Sequence, residues 1–331
     1  MNRYLSLIRF YNQIGTLLLF IPCTWGLIYA RDFSPAHWIL FLMGAFIMRS
    51  AGCIINDMVD AKLDCHVVRT KNRPLANGSI SKASAMIFLS LLLLPSLCVL
   101  LQFNELTIKI GIASVFFVIL YPFCKRFTHY PQIILGITFN VGIIMAYTAA
   151  TNSIIWQIFI LYAIGILWTI FYDTIYAIQD VKCDISTGIK SIATRFMKID
   201  EHGNLKYQKL YIFLICTVAA MSALLCCLWQ ASAVFHPVYT NAACIVILST
   251  IPLLLRIVSF KSYIAFLILM SLILFVIDYY FQINFLLFPH ITQASCILSL
   301  MVTLFVINKI NPKSLFQINA LIGILISLSI V

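Results

Sequence analysis

The chain has 331 residues, of which 62% are hydrophobic and only 10% are charged, and its mean hydropathy is +1.01. A soluble domain does not carry that much apolar surface, so the composition excludes a soluble enzyme and predicts an integral membrane protein. The net charge is +11, with 22 Lys and Arg against 11 Asp and Glu. The 11 cysteines show no CxxC pair and no metal-ligand spacing, so we interpret them as small buried side chains.

Apolar runs follow one another along the whole chain, and each is a candidate transmembrane helix. The pattern predicts an all-α, polytopic transmembrane helical bundle that forms a single domain over residues 1–331. The eleven runs cover residues 14–29, 38–55, 85–101, 108–121, 133–150, 154–172, 210–228, 238–255, 263–288, 291–307 and 315–331.

The positive charges lie mainly in alternate connections between these runs. Only Arg31 and Lys109 fall on the side opposite to the rest, and positive residues favour the cytoplasmic side of a membrane. We therefore predict a cytoplasmic N-terminus and an active site on the cytoplasmic side, or on the matrix side if the membrane is mitochondrial.

The connection after the second run carries a group of oxygen ligands. Asn56, Asp60 and Asp64 are spaced by four residues, so a helix would place them on one face, with Asp57 beside them. Carboxylates at this spacing repel one another, and something positive should lie on that face. Oxygen ligands of this kind suit Mg²⁺ better than a soft metal.

Basic residues follow directly after the acidic group. Arg69, Lys71 and Arg73 come within ten residues of Asp64, and Lys125 and Arg126 lie in a connection on the same side. Acidic ligands for a metal beside basic groups for a polyanion predict a diphosphate site.

A second acidic group follows the sixth apolar run. Asp173, Tyr176, Asp180 and Asp184 have spacings of 3, 4 and 4, which again describe one helical face, and Lys190 comes shortly after them. The two groups hold six of the 11 acidic residues, and charge near hydrocarbon is costly, so this concentration is the main functional signal.

Two motifs carry a resemblance to a known family. Residues 56–64 read NDMVDAKLD and match an NDxxDxxxD signature, and residues 180–184 read DVKCD and match DxxxD. With their flanks, including VRTKNRPLA at 68–76 and KRFTHYPQ at 125–132, they resemble the UbiA superfamily of intramembrane prenyltransferases, in the branch that acts on 4-hydroxybenzoate.

The resemblance implies a nine-helix core, a central cavity open sideways to lipid and a cytoplasmic cap over the diphosphate. Because eleven apolar runs are present, we predict an extra helical pair inserted within residues 229–288, where Asp278 lies in an apolar run. The implied membrane is the bacterial inner membrane or the mitochondrial inner membrane.

The implied reaction moves a polyprenyl group from its diphosphate to the ring of 4-hydroxybenzoate in ubiquinone biosynthesis. Its implied partners are the two substrates, Mg²⁺ and the bilayer, with no nucleic acid. Predicted metal ligands are Asn56, Asp57, Asp60, Asp64, Asp180 and Asp184; predicted diphosphate ligands are Arg69, Lys71, Arg73, Lys125 and Lys190. Predicted catalytic residues are Asp60, Asp64, Asp180, Asp184 and Arg126, the last as a clamp on the benzoate carboxylate, and Arg49, Asp173 and Tyr176 would support them.

Other functions remain open at this point. A prenyltransferase of the same kind with naphthoate, homogentisate or haem as acceptor would carry the same motifs. A divalent-cation transporter would also place carboxylates at helix ends, but it has no use for the basic rim of Arg69, Lys71 and Arg73.

Overall fold

The architecture comes from a computed structural model that describes residues 3–65, 67, 69–201, 205–231, 320, 323, 324 and 326. The described chain is helical apart from one short hairpin, in which β1 pairs antiparallel with β2. The elements are α1 (Arg3–Leu7), α2 (Ile14–Tyr29), α3 (Pro35–Asp64), α4 (Lys82–Leu100), α5 (Glu105–Phe127), α6 (Pro131–Thr151), α7 (Trp156–Ala177), a 3-10 turn (Ile178–Asp180), α8 (Val181–Thr187), α9 (Ile192–Phe196), β1 (Lys198–Ile199), β2 (Leu205–Lys206) and α10 (Gln208–Ala231).

Six helical segments in the described part of the chain are long and apolar enough to cross a membrane, and α2 is a shorter apolar helix. On α4 and α5 about half of the large apolar side chains are exposed, as expected for helices whose outer faces meet lipid. The prediction of a polytopic helical membrane protein is confirmed.

The largest difference from the predicted runs is at α3. The second run ends at residue 55, whereas the helix continues to Asp64 and so includes the whole first acidic motif. Hydropathy defined the run, but backbone hydrogen bonding does not stop where polar side chains begin. The helical pair predicted within 229–288, its Asp278 and the runs from 238 onward lie outside the described residues, apart from a few positions near the C-terminus.

The core forms where α6 packs between α2 and α7. Trp25 and Trp168 are fully buried there, with ring centroids 5.4 Å apart. Gly26 permits the close approach of α2 and α6, because a Cβ at this position would collide with the backbone carbonyl oxygen of Ile143. Around this core, α4 packs on α3, and α5 packs on α6.

Polar contacts tie helices together inside the apolar bundle. The Asn140 Nδ2 donates to Thr169 Oγ1 at 2.8 Å and joins α6 to α7. The Thr107 and Thr148 hydroxyls lie 2.8 Å apart and join α5 to α6. Such bonds hold helix positions firmly, since a buried polar group without a partner is costly in an apolar medium.

One end of the bundle gathers the connections that carry most of the charge. The Arg3 Nη1 donates to the carbonyl of Ser79 at 3.0 Å, and the backbone N–H of Lys190 donates to the carbonyl of Lys125 at 2.9 Å. The first contact places α1 beside the loop after α3, and the second places the segment after α8 beside the end of α5. The grouping of these basic residues on one side agrees with the charge pattern, and the cytoplasmic assignment of that side stays a prediction.

We expect Gly26→Ala to lower stability by about 1–3 kcal/mol, because the added methyl group overpacks the α2–α6 contact. Thermal unfolding in detergent micelles measures the change. Gly52→Ala is the matched control, since a Cβ at Gly52 meets no atom within 4 Å and alanine favours a helix over glycine by about 1 kcal/mol. Equal unfolding temperatures in the two variants would contradict the packing argument.

Candidate active site

A single cavity of about 1820 Å³ connects the charged end of the bundle with its apolar interior. The residues that line it come from α1 to α8, from the connection between α1 and α2, from the loop after α3 and from the segment after α8. Every predicted site residue except Lys71 lines this cavity: Arg49, Asn56, Asp57, Asp60, Asp64, Arg69, Arg73, Lys125, Arg126, Asp173, Tyr176, Asp180, Asp184 and Lys190. Lys71 is exposed and lies outside the lining.

The first acidic motif occupies the last turns of α3. The helix places Asn56, Asp60 and Asp64 on one face, as their spacing predicts, and all three line the cavity. Asp60 and Asp64 are buried, each with 8% of its surface exposed. Because burial of a carboxylate is costly unless it is paired, the neighbouring cations decide whether this arrangement is stable.

Asp57 is fully buried and accepts hydrogen bonds from two arginines. The Arg9 Nη2 reaches both of its carboxylate oxygens, at 2.7 and 2.8 Å, and the Arg73 Nη1 lies 3.2 Å from Oδ1. Asp57 was predicted as a metal ligand, and in this structure its oxygens are engaged by Arg9 and Arg73. No sequence pattern pointed to this contact of Arg9 with Asp57.

The other carboxylates of α3 have cationic partners of their own. The Arg73 Nη1 also donates to Asp64 Oδ2 at 2.7 Å, so one guanidinium joins Asp57 to Asp64. The Lys125 Nζ lies 3.3 Å from Asp60 Oδ2 and 3.4 Å from Asn56 Oδ1. Two of the predicted diphosphate ligands therefore lie against the predicted metal ligands.

The second acidic motif begins where α7 ends. The helix stops at Ala177, the 3-10 turn carries Asp180, and α8 carries Asp184. The sequence predicted one continuous helical face here, and the turn interrupts it. Arg69 approaches from the loop after α3 and forks onto Asp180, with Nε to Oδ1 at 3.0 Å and Nη2 to Oδ2 at 2.7 Å.

Arg69 thereby joins the two acidic motifs. Its guanidinium also lies over the ring of Tyr176, 5.8 Å from the centroid. Burial lowers the pKa of Arg69, but the hydrogen bond to Asp180 and the nearby negative charges outweigh it and raise this pKa above its ordinary value. The guanidinium is therefore charged at any physiological pH.

Two arginines of the lining are not engaged by carboxylates in the described part of the chain. The exposed Arg126 donates from Nη2 to the carbonyl oxygen of Val59 at 2.9 Å. Arg49 lies two helical turns deeper than Asn56, donates from Nη1 to Cys53 Sγ, and keeps a buried Nε without a partner among the described residues. Arg49, which was predicted to support the acidic groups, forms no ion pair with a carboxylate among the described residues.

Asp173 and Lys190 both lie near Lys125 at this charged end. Asp173 lies on α7, close to Lys125 and within hydrogen-bonding reach of the Gln132 side chain. The Lys190 Nζ lies 3.5 Å from the carbonyl oxygen of Phe127. Both are half-buried and are therefore available to a ligand in the cavity.

The donor set fits a hard divalent cation in its chemistry. Carboxylate and amide oxygens from both acidic motifs line one cavity, and these are the ligands that Mg²⁺ prefers. Among the described residues, however, no three acidic, His or Cys side chains converge on one point. Arg69, Arg73 and Lys125 lie against four of these carboxylates, those of Asp57, Asp60, Asp64 and Asp180.

A bundle of apolar helices around a cavity with acidic and basic groups at one end is the arrangement of an integral-membrane enzyme that handles an anionic, lipid-like substrate. The sequence profile of the UbiA prenyltransferase family matches residues 19–261. The chain belongs to that family.

Relatives of known name have similar sequences. The 4-hydroxybenzoate octaprenyltransferase of Vibrio vulnificus (strain CMCP6) is 43% identical over 200 residues, which cover 60% of this chain and 70% of the relative. The mitochondrial 4-hydroxybenzoate polyprenyltransferase of Aedes aegypti is 46% identical over 200 residues, which cover 59% of this chain and 45% of the relative.

Solved structures share the fold. A UbiA homolog from Aeropyrum pernix K1, solved without ligand, has a TM-score of 0.65 at 18% identity and covers 95% of this chain and 96% of its own. A UbiA homolog from Archaeoglobus fulgidus bound to GPP and Mg²⁺ has a TM-score of 0.57 at 16% identity, with 93% and 100% covered. At these identities the likeness establishes the fold alone.

We expect Arg9→Gln to destabilise the protein by about 3 kcal/mol, because it leaves the buried Asp57 carboxylate with only its weaker contact to Arg73. Arg31→Gln is the matched control: Arg31 is exposed, and its φ of 55° resembles the 57° of Arg9, so any backbone effect is the same. Thermal unfolding in micelles measures both. Equal stability of the two variants would mean that the Arg9–Asp57 pair contributes nothing.

Proposed function

We propose that this chain transfers a polyprenyl group from polyprenyl diphosphate to the ring of 4-hydroxybenzoate, ortho to its hydroxyl group, in ubiquinone biosynthesis. The observation that carries the proposal is one cavity that has paired acids and bases at its charged end and apolar helix surfaces further in. Relatives that are 43% and 46% identical and carry this activity in their names support the choice of acceptor.

The basic side chains would hold the diphosphate. Ionisation of the allylic C–O bond leaves its electron pair on the diphosphate, and stabilising that developing charge lowers the barrier. Arg69, Arg73 and Lys125 already lie at the charged end of the cavity, and Lys190 lines it as well. In the proposed reaction these cations move from their carboxylates to the diphosphate, and the arginines bind it through forked hydrogen bonds.

The carboxylates released by this exchange would hold Mg²⁺. We propose Asn56, Asp60, Asp64, Asp180 and Asp184 as ligands, with Asp57 as a further candidate that Arg9 and Arg73 engage here. When bound, the ion would supply Lewis-acid stabilisation of the leaving diphosphate. Asp173 and Tyr176, next to Lys125 and Arg69 respectively, would position these two cations.

The acceptor carboxylate needs a cation that no acid of the protein occupies. Arg126 at the rim and Arg49 inside the cavity meet this condition among the described residues. We propose Arg126 as the clamp, with Arg49 as the alternative deeper in the cavity. After C–C bond formation, loss of the ring proton restores the aromatic system.

The apolar surroundings of the site have a chemical role as well. An allylic cation reacts rapidly with water, so the reaction benefits from a cavity that apolar helices shield on most sides. We place the protein in the bacterial inner membrane or the mitochondrial inner membrane, with the charged end of the bundle facing the cytoplasm or the matrix.

The direct test of the function is a product assay. Membranes that contain the protein are given octaprenyl diphosphate, Mg²⁺ and one of three acceptors: 4-hydroxybenzoate, a naphthoate or homogentisate. Mass spectrometry should find a prenylated product with 4-hydroxybenzoate only. A product with another acceptor alone would reject the proposed acceptor but keep the prenyl transfer.

Turnover should require a divalent cation, since the carboxylates and the diphosphate otherwise repel one another. Chelation by EDTA should abolish the product and added Mg²⁺ should restore it. Asp60→Asn should cost several kcal/mol, or about a thousandfold, mainly in kcat. Glu105→Gln removes an exposed carboxylate outside the cavity and should retain full activity; full activity in chelated membranes would rule out the metal.

Arg126→Lys should raise the KM for 4-hydroxybenzoate and leave the KM for the prenyl diphosphate unchanged, because lysine does not reproduce the forked geometry of a guanidinium on a carboxylate. The loss should be about 1.5–3 kcal/mol. Arg73→Ala should affect the donor instead. If Arg49→Lys alone raises the acceptor KM, the clamp lies deeper in the cavity than proposed.

A further inference from the structure

A second, smaller cavity lies outside the site described above. It is an apolar crevice of about 310 Å³ over α7, to which α6 and α10 both pack. Leu167 and Ile170 come from α7, Ile133 from α6, and Phe213 and Ala220 from α10. None of the residues that line the crevice also lines the larger cavity, so the two are separate features of the bundle.

The crevice has the depth of one leaflet of a bilayer. The three helices around it are all long and apolar enough to cross a membrane. On α10 it extends to Ala220, which lies 11 residues beyond Lys209, or about 16 Å along the helix axis. Half of a hydrocarbon core about 30 Å thick is about 15 Å. The crevice therefore matches an acyl chain of the leaflet at the charged end of the bundle.

One face of α10 carries both a charge and the apolar lining. Lys209, Phe213, Cys216 and Ala220 are spaced by four, three and four residues, so they share a helical face. The last three line the crevice, and the exposed Lys209 lies one turn closer to the charged end. A cation thus lies at the mouth of an apolar groove.

A second cation lies near the same mouth, on α9. Ile192 of this helix lines the crevice, and Arg195 follows it by three residues, about one helical turn. The ring of Phe196 stacks on Phe213 with centroids 4.9 Å apart, which holds α9 against the start of α10. Arg195 is exposed and, like Lys209, forms no ion pair with a carboxylate among the described residues.

The hairpin between α9 and α10 adds further positive charge. Lys198 of β1 and Lys206 of β2 lie directly opposite each other, and like charges in this position repel. Residues 195–209 contain four basic residues and two acidic ones, Asp200 and Glu201. This excess of positive charge is complementary to an anionic ligand.

We propose that the crevice is a binding site for one anionic phospholipid, with an acyl chain along α7 between α6 and α10 and the phosphate group at Arg195 and Lys209. In a zwitterionic phospholipid the headgroup cation offsets the phosphate, so its attraction to the two basic residues is weaker. Tyr130 lines the crevice at the start of α6 and suits the boundary between headgroups and hydrocarbon, since tyrosine is enriched at that depth. The inference does not depend on the proposed prenyl transfer.

The test measures which lipid the full-length chain retains. Protein in detergent micelles is given equal amounts of dioleoyl phosphatidylglycerol and dioleoyl phosphatidylcholine, and native mass spectrometry identifies the bound molecules. The wild type should retain one phosphatidylglycerol with a preference of about 25-fold, since each of two basic residues near an anionic group contributes about fivefold. Lys209→Gln should reduce this preference about fivefold, and Arg195→Gln/Lys209→Gln should abolish it.

Two further variants test the position of the lipid. Lys82→Gln is the matched control, because Lys82 is also exposed in the first turn of a membrane-crossing helix and lies outside both cavities. It should leave the preference unchanged. Ala220→Phe fills the crevice and should lower the retention of phosphatidylglycerol by on the order of tenfold, as a misfit in an apolar site does.

Three results would overturn the inference. Equal losses in Lys82→Gln and Lys209→Gln would mean that the charge of the whole surface attracts the lipid. Equal retention of both lipids by the wild type, or retention of neither, would exclude a site for an anionic headgroup. Unchanged retention in Ala220→Phe would mean that another part of the chain or a second copy covers the crevice; if this variant does not fold, the two lysine variants still decide.

Discussion

Carboxylates buried at the ends of apolar helices need positive partners, and the charged end of this bundle depends on that requirement. Asp57 is wholly inaccessible to solvent, yet it accepts hydrogen bonds from Arg9 and Arg73, and Arg73 reaches Asp64 as well. Removing one member of a buried ion pair costs about 3–5 kcal/mol, since the remaining charge keeps its desolvation penalty. The pairs therefore hold α1 and the loop after α3 against the end of α3.

The same ion pairs relate the resting arrangement to the proposed reaction. Arg69 joins the loop after α3 to Asp180, and Lys125 joins α5 to Asp60, so the cations proposed for the diphosphate are also those that compensate the proposed metal ligands. A diphosphate is negatively charged and can replace the carboxylates as partner of the basic side chains, and a divalent cation can replace the basic side chains as partner of the carboxylates. In the proposed reaction their joint binding would exchange partners without leaving any of these charges buried alone, whereas either ligand by itself would leave some unpaired.

One helix, α3, carries both halves of the site. Its last turns hold the acidic motif, and its earlier turns, as far as Phe41, line the apolar part of the cavity. A helix of 30 residues is longer than the apolar core of a bilayer, which is about 30 Å thick. The polar end of α3 therefore extends beyond the hydrocarbon. The polar and apolar parts of a prenyl diphosphate are thereby matched by successive segments of one rigid element.

The sequence alone determined the membrane class, the long helices α2 to α7 and α10, and the shared face of Asn56, Asp60 and Asp64, because composition and helical spacing are local properties. The resemblance of its two acidic motifs also identified the family. Tertiary structure alone decided which charges meet: Arg9 pairs with Asp57 across 48 positions, and Arg69 pairs with Asp180 across 111. Likewise, no sequence pattern distinguishes Gly26; only the packing of α6 against α2 brings the carbonyl oxygen of Ile143 next to it, since contacts between distant segments depend on how whole helices pack.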